Sequence, residues 1–208
     1  SGHAIHSYLI RDYKMRTVKR VPSEVSELAA MSMELLSMAH WDVFFPEESD
    51  LKRAKFYQLE YVLKVLPWIA IIDKFQHWLY TNPGHNRDER KTEWKRIFRE
   101  FNSNLVDHSG LDQYLDHLWH KQLHIFEVPF YYIEYGMAQL GAIAIWKRFM
   151  QNPELAVEDY MAALKTGYSK PIGEIYGRAG IRFDFSSGYV SEIVGFVKSE
   201  LDKLLPGK

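Results

Sequence analysis

Apolar residues recur at helical spacing along almost the whole chain. Leu28, Met31, Leu35 and Leu36 mark one face of a segment spanning residues 24–41. Pro22 stands where the first turn of that helix begins, and Glu24 and Glu27 lie near its positive end. After a turn around Pro46, residues 51–80 form a long periodic stretch in which Pro67 is expected to kink or break the helix. Thr81-Asn82-Pro83-Gly84-His85 reads as a loop. Residues 86–104 combine a charged face with an inner face of Trp94, Ile97, Phe98 and Phe101. Further helices are expected over 111–126, 129–150, 152–166 and 187–205, and the chain opens as helix over 1–16. The stretch 129–150 is apolar nearly all round, which predicts burial. Residues 169–185 read as turns, punctuated by Gly173, Gly177 and Gly180. No strand period, internal repeat or low-complexity linker interrupts the pattern. The expectation is an all-α multi-helix bundle, a single α-helical domain over residues 1–208.

Composition narrows the function classes. Hydrophobic residues make up 47% of the 208, enough for one sizeable core. Lys plus Arg number 26 against 27 Asp plus Glu, a balance that argues against a nucleic-acid-binding surface. No apolar run approaches the length of a membrane span, so no membrane partner is expected. Cys is absent, which excludes disulfides and thiolate metal sites and fits a reducing, cytoplasmic compartment. Aromatics reach 15%, more than a core alone asks for; they suggest cleft walls or a partner surface, and leave a homo-oligomer open.

The chemistry begins at the first residues. Ser1-Gly2-His3-Ala4-Ile5-His6 looks like the back half of a helical His-Glu-x-x-His motif. In that motif two His share a helix face with a Glu beside them as general base. His3 would be the second His, while the first His and the Glu are not among these residues. A lone His near a chain end is more often simply exposed. A carboxylate on a following helix is the usual third ligand of such a pair, and Glu27 lies on one. Glu34 follows it by two helical turns on the same face.

With Gly2-His3-Ala4-x-His6, Glu27-x6-Glu34 and the segment from His124 to Tyr135 in this order, the chain resembles the thimet oligopeptidase and oligoendopeptidase F family of zinc metallopeptidases. The resemblance runs from Ser1 to about Gly180. It implies zincin-type active-site helices in the C-terminal half of an oligopeptidase, with one zinc ion. His3 and Glu27 would be metal ligands, with Glu34 orienting a ligand His. It further implies catalytic His124, Tyr132 and Tyr135 and substrate-binding Tyr131 and His6. The implied activity is endopeptidase cleavage of short peptides. The first zinc ligand, the catalytic Glu and the N-terminal half of such an enzyme lie outside these residues, so the chain alone is expected to be inactive. The family also tends to carry a Tyr four residues after the His, where this chain has Val128.

Other chemistries fit less well. His117, His120 and His124 would share a face if 111–126 were one helix, which raises a second metal site; an amphipathic helix edging a cleft explains the same pattern. The Tyr residues could simply pack with their hydroxyls satisfied. The glycines around 173–180 do not follow a strand, which rules out a dinucleotide loop. A di-iron bundle needs Glu-x-x-His, and no Glu here has a His three residues on. Two readings remain: the partial site of a zinc endopeptidase, and a catalytically inactive helical binding module derived from that family.

Overall fold

The computed structural model describes residues 2–103 and 105–205; Ser1, included above in the first helix, lies outside them. Every regular element among the described residues is helical, as the periodicity predicts. In chain order the helices are α1 (Gly2–Leu9), α2 (Arg16–Lys19), α3 (Ser23–Ser37), α4 (Glu48–Thr81), α5 (Arg87–Phe101) and α6 (Asp112–Leu115). They continue with α7 (His124–Glu127), α8 (Tyr132–Gln151), α9 (Pro153–Lys165), α10 (Ile172–Arg178) and α11 (Ser187–Asp202). Two 3-10 turns, Met38–Val43 and Leu118–Lys121, complete the set.

Local chemistry sets many of the boundaries. Asn86 caps α5 by accepting from the backbone N–H groups of Asp88 and Glu89, while Glu89 accepts from Asn86 N at 2.8 Å, a reciprocal box. Asn152 caps α9 with Pro153 in its first turn, and Ser186 caps α11.

Four expectations give way to tertiary context. The helix of 51–80 is not broken at Pro67: α4 runs through it, losing a single backbone donor within a helix of 34 residues. The expected helix over 111–126 is three short pieces. The indole Nε1 of Trp94 donates to the carbonyl of Leu115 at 2.8 Å, at the last residue of α6. Residues 169–185, read as turns, contain α10, whose Gly173 and Gly177 hid it in the pattern while Ile175 and Tyr176 are buried. The first helix also stops at Leu9 rather than near Arg16: Ile10 turns inward and the Tyr13 hydroxyl donates to the Lys165 carbonyl at 3.0 Å.

The chain divides into two compact units. The first holds residues 2–63 and 137–205. In it α1 packs on α3 and α9, and α10 packs on the same two helices. Val25, Leu28, Ala29, Leu35, Ile143, Leu164, Ile175 and Val197 fill its core. Two buried tyrosines lock α3 from the side. Tyr160 Oη donates to the Ala29 carbonyl at 2.7 Å and Tyr176 Oη to the Glu24 carbonyl at 3.3 Å. Burial pushes both phenols above their ordinary range, so each stays a donor. The second unit, Lys64–Gly136, is built on an aromatic core: Phe75, Trp94, Phe98 and Trp119 with Ile71, Ile72, Ile97 and Ile125. Trp94 stands edge-on to both Phe75 (5.1 Å) and Trp68 (5.9 Å), the arrangement favoured by ring quadrupoles.

Two glycines make opposite predictions. A Cβ on Gly141 of α8 would lie 2.7 Å from Leu28 Cδ1 and 2.8 Å from Tyr176 Cε1, whereas one on Gly195 of α11 would meet nothing within 4 Å. Gly141→Ala should therefore lower stability. Its overpacking costs about 1–3 kcal/mol against a gain in helix propensity of about 1 kcal/mol. Gly195→Ala should keep the propensity gain alone and raise stability by about 1 kcal/mol. Urea denaturation of the two variants checks both signs.

Candidate functional site

In the first unit, α1 crosses α3 so closely that a Cβ on Gly2 would lie 2.3 Å from the Ala29 carbonyl oxygen and 2.5 Å from Ala30 Cα. Only glycine permits that approach. The next residue on α1, His3, is thereby laid beside the first turns of α3. Its Nδ1 is 3.2 Å from the Ser26 hydroxyl, and its Nε2 faces Glu27 Oε2 at 3.7 Å. The Glu27 side chain is 13% exposed and that of His3 54%, so the carboxylate is sheltered while the imidazole reaches solvent. His3 and Glu27 thus meet as the sequence spacing suggests. Ser26 was not foreseen; its place just before Glu27 was the only sign.

The pair suits a zinc ion. Imidazole nitrogen and carboxylate oxygen are both zinc donors, and two ligands on one tetrahedral zinc stand roughly 3.4 Å apart. A hydrogen bond on Nδ1, as Ser26 offers, is the usual way a ligand His is oriented while Nε2 serves the metal. Among the described residues no three His, Asp or Glu side chains gather into a metal-holding group.

Glu34 lies two turns along α3 and is exposed; its backbone carbonyl accepts from Ser37 Oγ at 2.7 Å. His6, read from the resemblance as a substrate contact, is only 2% exposed. Burial pulls its pKa down, the neighbouring His3 adds to this, and a hydrogen bond with the Leu164 backbone opposes it. Its surroundings are those of a group that seats α1 against α9.

The remaining candidates belong to the second unit. Val128 N and Tyr131 N mark a tight reversal between α7 and α8, with Phe130 in the left-handed region at φ 61°. That strain is held by packing of the Phe130 ring on His77 (4.9 Å) and Tyr80 (5.1 Å). The reversal brings His124, on α7, against the first turn of α8. Its ring lies 5.0 Å from Tyr132, 5.6 Å from Tyr135 and 5.9 Å from Tyr131, centroid to centroid. Tyr135 Oη stands 3.5 Å from His124 Nε2, and Nδ1 is 2.7 Å from Gln122 Nε2. Gln122 Oε1 accepts from Trp68 Nε1 at 3.0 Å. Gln122 and Trp68 were not foreseen, since nothing in the spacing of a lone Gln marks it. The alternative His triad does not form: His117 and His120 lie 5.3 Å apart, but the break of 111–126 into short pieces removes the shared face with His124.

Such a cluster can present hydroxyl and imidazole donors toward a carbonyl oxygen, and the His3–Glu27 pair can bind a cation. No helix among the described residues is long and apolar enough to cross a membrane.

The chain matches the family model for peptidase family M3 over residues 1–194. It is similar to a solved structure of PZ peptidase A with an inhibitor at 34% identity and a TM-score of 0.90, which covers 97% of this chain and 36% of that one. A protein described as an oligoendopeptidase F is similar at 34% identity and a TM-score of 0.87, covering 97% and 35% respectively. Another so described, from Bacillus anthracis, is similar at 30% identity and a TM-score of 0.77, covering 97% and 32%. The chain therefore spans about a third of the length of these relatives. No curated protein matches it.

His6 predicts a pH dependence of stability. The unfolded imidazole titrates near 6.5 and the folded one lower. Above about 6.5 neither state is protonated there, and the contribution of the buried neutral ring is fully present. As pH falls below that value the unfolded state takes up the proton first, so stability is lost until the folded value is passed. Urea midpoints measured from pH 8 down to 5 should fall, and His6→Gln should flatten the slope.

Proposed function

The chain belongs to peptidase family M3, and from that premise we propose that it carries part of the active site of a zinc endopeptidase that cleaves short peptides. The observation that carries this reading is the His3 Nε2 to Glu27 Oε2 approach of 3.7 Å, with Ser26 on the other ring nitrogen. His3 and Glu27 would hold the zinc, which when bound polarises a scissile carbonyl and activates water. Ser26 holds the His3 ring in the orientation that directs Nε2 to Glu27. Glu34 supports the ligand shell from farther along α3. In the second unit His124 donates to the carbonyl oxygen of a bound peptide, Tyr132 and Tyr135 add hydroxyl donors as negative charge grows there, and Tyr131 contacts the peptide. A site of this kind would also need a general base and a further ligand, which the His-Glu pair supplies in a His-Glu-x-x-His helix. The lack of Cys supports a reducing, cytoplasmic setting, and exposed aromatics such as Phe44, Tyr57 and Tyr61 support self-association into a homo-oligomer.

The test is a zinc titration of the 208-residue chain against a chromophoric chelator, followed by assay with a quenched fluorescent peptide. Weak zinc binding is expected, lost in His3→Ala and Glu27→Ala. Ser26→Ala and Glu34→Ala should weaken it roughly 10–100-fold. The chain alone should not cleave the peptide; a longer chain that adds the His-Glu pair and the N-terminal region should. Zinc affinity indifferent to Glu27→Ala would overturn the metal site. Zinc binding without cleavage in the longer chain would favour the inactive binding module.

A further inference from the structure

We propose that Gln122 is a positioning residue that fixes His124 in the tautomer with its proton on Nε2, so that the ring is always ready to donate. The consequence for turnover rests on the reading of His124 as a donor to the substrate; the tautomer itself does not.

The assignment follows from donor and acceptor chemistry alone. An indole N–H can only donate. Trp68 Nε1 lies 3.0 Å from Gln122, so the amide must turn its oxygen toward the indole. The amide nitrogen is then left toward His124 Nδ1 at 2.7 Å. An NH₂ group has no lone pair to offer, so Nδ1 must accept. A neutral imidazole whose Nδ1 accepts carries its hydrogen on Nε2. Turning the amide over would set its NH₂ against the indole N–H, forfeit that hydrogen bond and leave the Trp68 donor facing another donor.

Both ends of this relay are held from the core. Trp68 stands edge-on to Trp94, which is itself tied to the Leu115 carbonyl. The Gln122 backbone is pinned on both sides, its N–H donating to the Trp119 carbonyl at 3.0 Å and its carbonyl accepting from Ile125 N at 3.1 Å. Gln122 is 9% exposed, so water competes little for its amide. An imidazole without such a partner divides itself between tautomers, and the form with a lone pair on Nε2 cannot donate to a carbonyl oxygen.

Long-range proton–nitrogen NMR on the chain labelled with ¹⁵N-histidine reads the tautomer directly, with His124→Ala identifying the signals. Nδ1 should show the shift of an unprotonated ring nitrogen and Nε2 that of a protonated one. Gln122→Glu keeps the shape and still accepts from Trp68, but turns an acceptor toward Nδ1; it should move the proton to Nδ1. A protonated Nδ1 in the unsubstituted chain, readable even if the variant fails to fold, overturns the proposal. So does an unchanged tautomer in folded Gln122→Glu. In a longer chain that cleaves peptides, Gln122→Glu should lower kcat on the order of 10²-fold with KM little changed. A tautomer that switches while kcat stays constant would overturn the positioning role in turnover and count against His124 as the donor, with the zinc site untouched.

Discussion

The candidate metal site depends on one close approach, Gly2 over the Ala29–Ala30 backbone of α3. Side chains on α1 and α3 would normally hold two helices about 8–10 Å apart at their axes. Without a Cβ at Gly2 the backbones meet directly, where any side chain would sit 2.3 Å from the Ala29 oxygen. That same oxygen accepts the Tyr160 hydroxyl from α9. Three helices are therefore keyed to one peptide group. Because His3 follows Gly2 and Ser26 and Glu27 precede Ala29 by less than one turn, closing this contact delivers an imidazole to a hydroxyl and a carboxylate without any flexible segment between them. The geometry is set by backbone, which is the stiffest support available for a ligand pair.

His124 is positioned by different means. It sits on a helix of one turn, too short to be stable by its own hydrogen bonds. What fixes it is a chain of indole and amide contacts running out from the aromatic core, together with the strained Phe130 reversal. Indoles are suited to this. Each has a large apolar body that packs and one donor that can only point one way, so it transmits orientation as well as position. Trp94 uses its donor to end α6, and Trp68 uses its donor to orient an amide.

What the sequence disclosed and what it withheld follow the same division. Helices with a sustained apolar period, α3, α4, α5, α8 and α11, were legible because their burial repeats over several turns. The His3–Glu27 meeting was legible because the motif fixes one helix and the spacing places a carboxylate near the start of the next. Pro67 misled because its local cost is small beside a helix of 34 residues. The region 111–126 misled because its first break, after Leu115, falls where Trp94, a residue distant in sequence, takes the Leu115 carbonyl. α10 was hidden by two glycines whose neighbours are buried. Ser26, Gln122 and Trp68 act through hydrogen bonds between residues of ordinary type, and no period or motif announces such a bond.

The two clusters also differ in what disturbs them. At His3 the imidazole is half exposed and its partner sheltered, so a cation could reach the pair from solvent and find the carboxylate shielded from competing water. Occupancy there should track metal supply and the condition of the α1–α3 contact. At His124 no ion is required: the donor is prepared by neutral groups, Trp68 and Gln122, neither of which titrates. A site assembled this way can keep its carbonyl-directed donor ready whether or not the metal is present. On the proposed roles, binding of a peptide carbonyl and binding of zinc would be separable, each traceable to its own few residues.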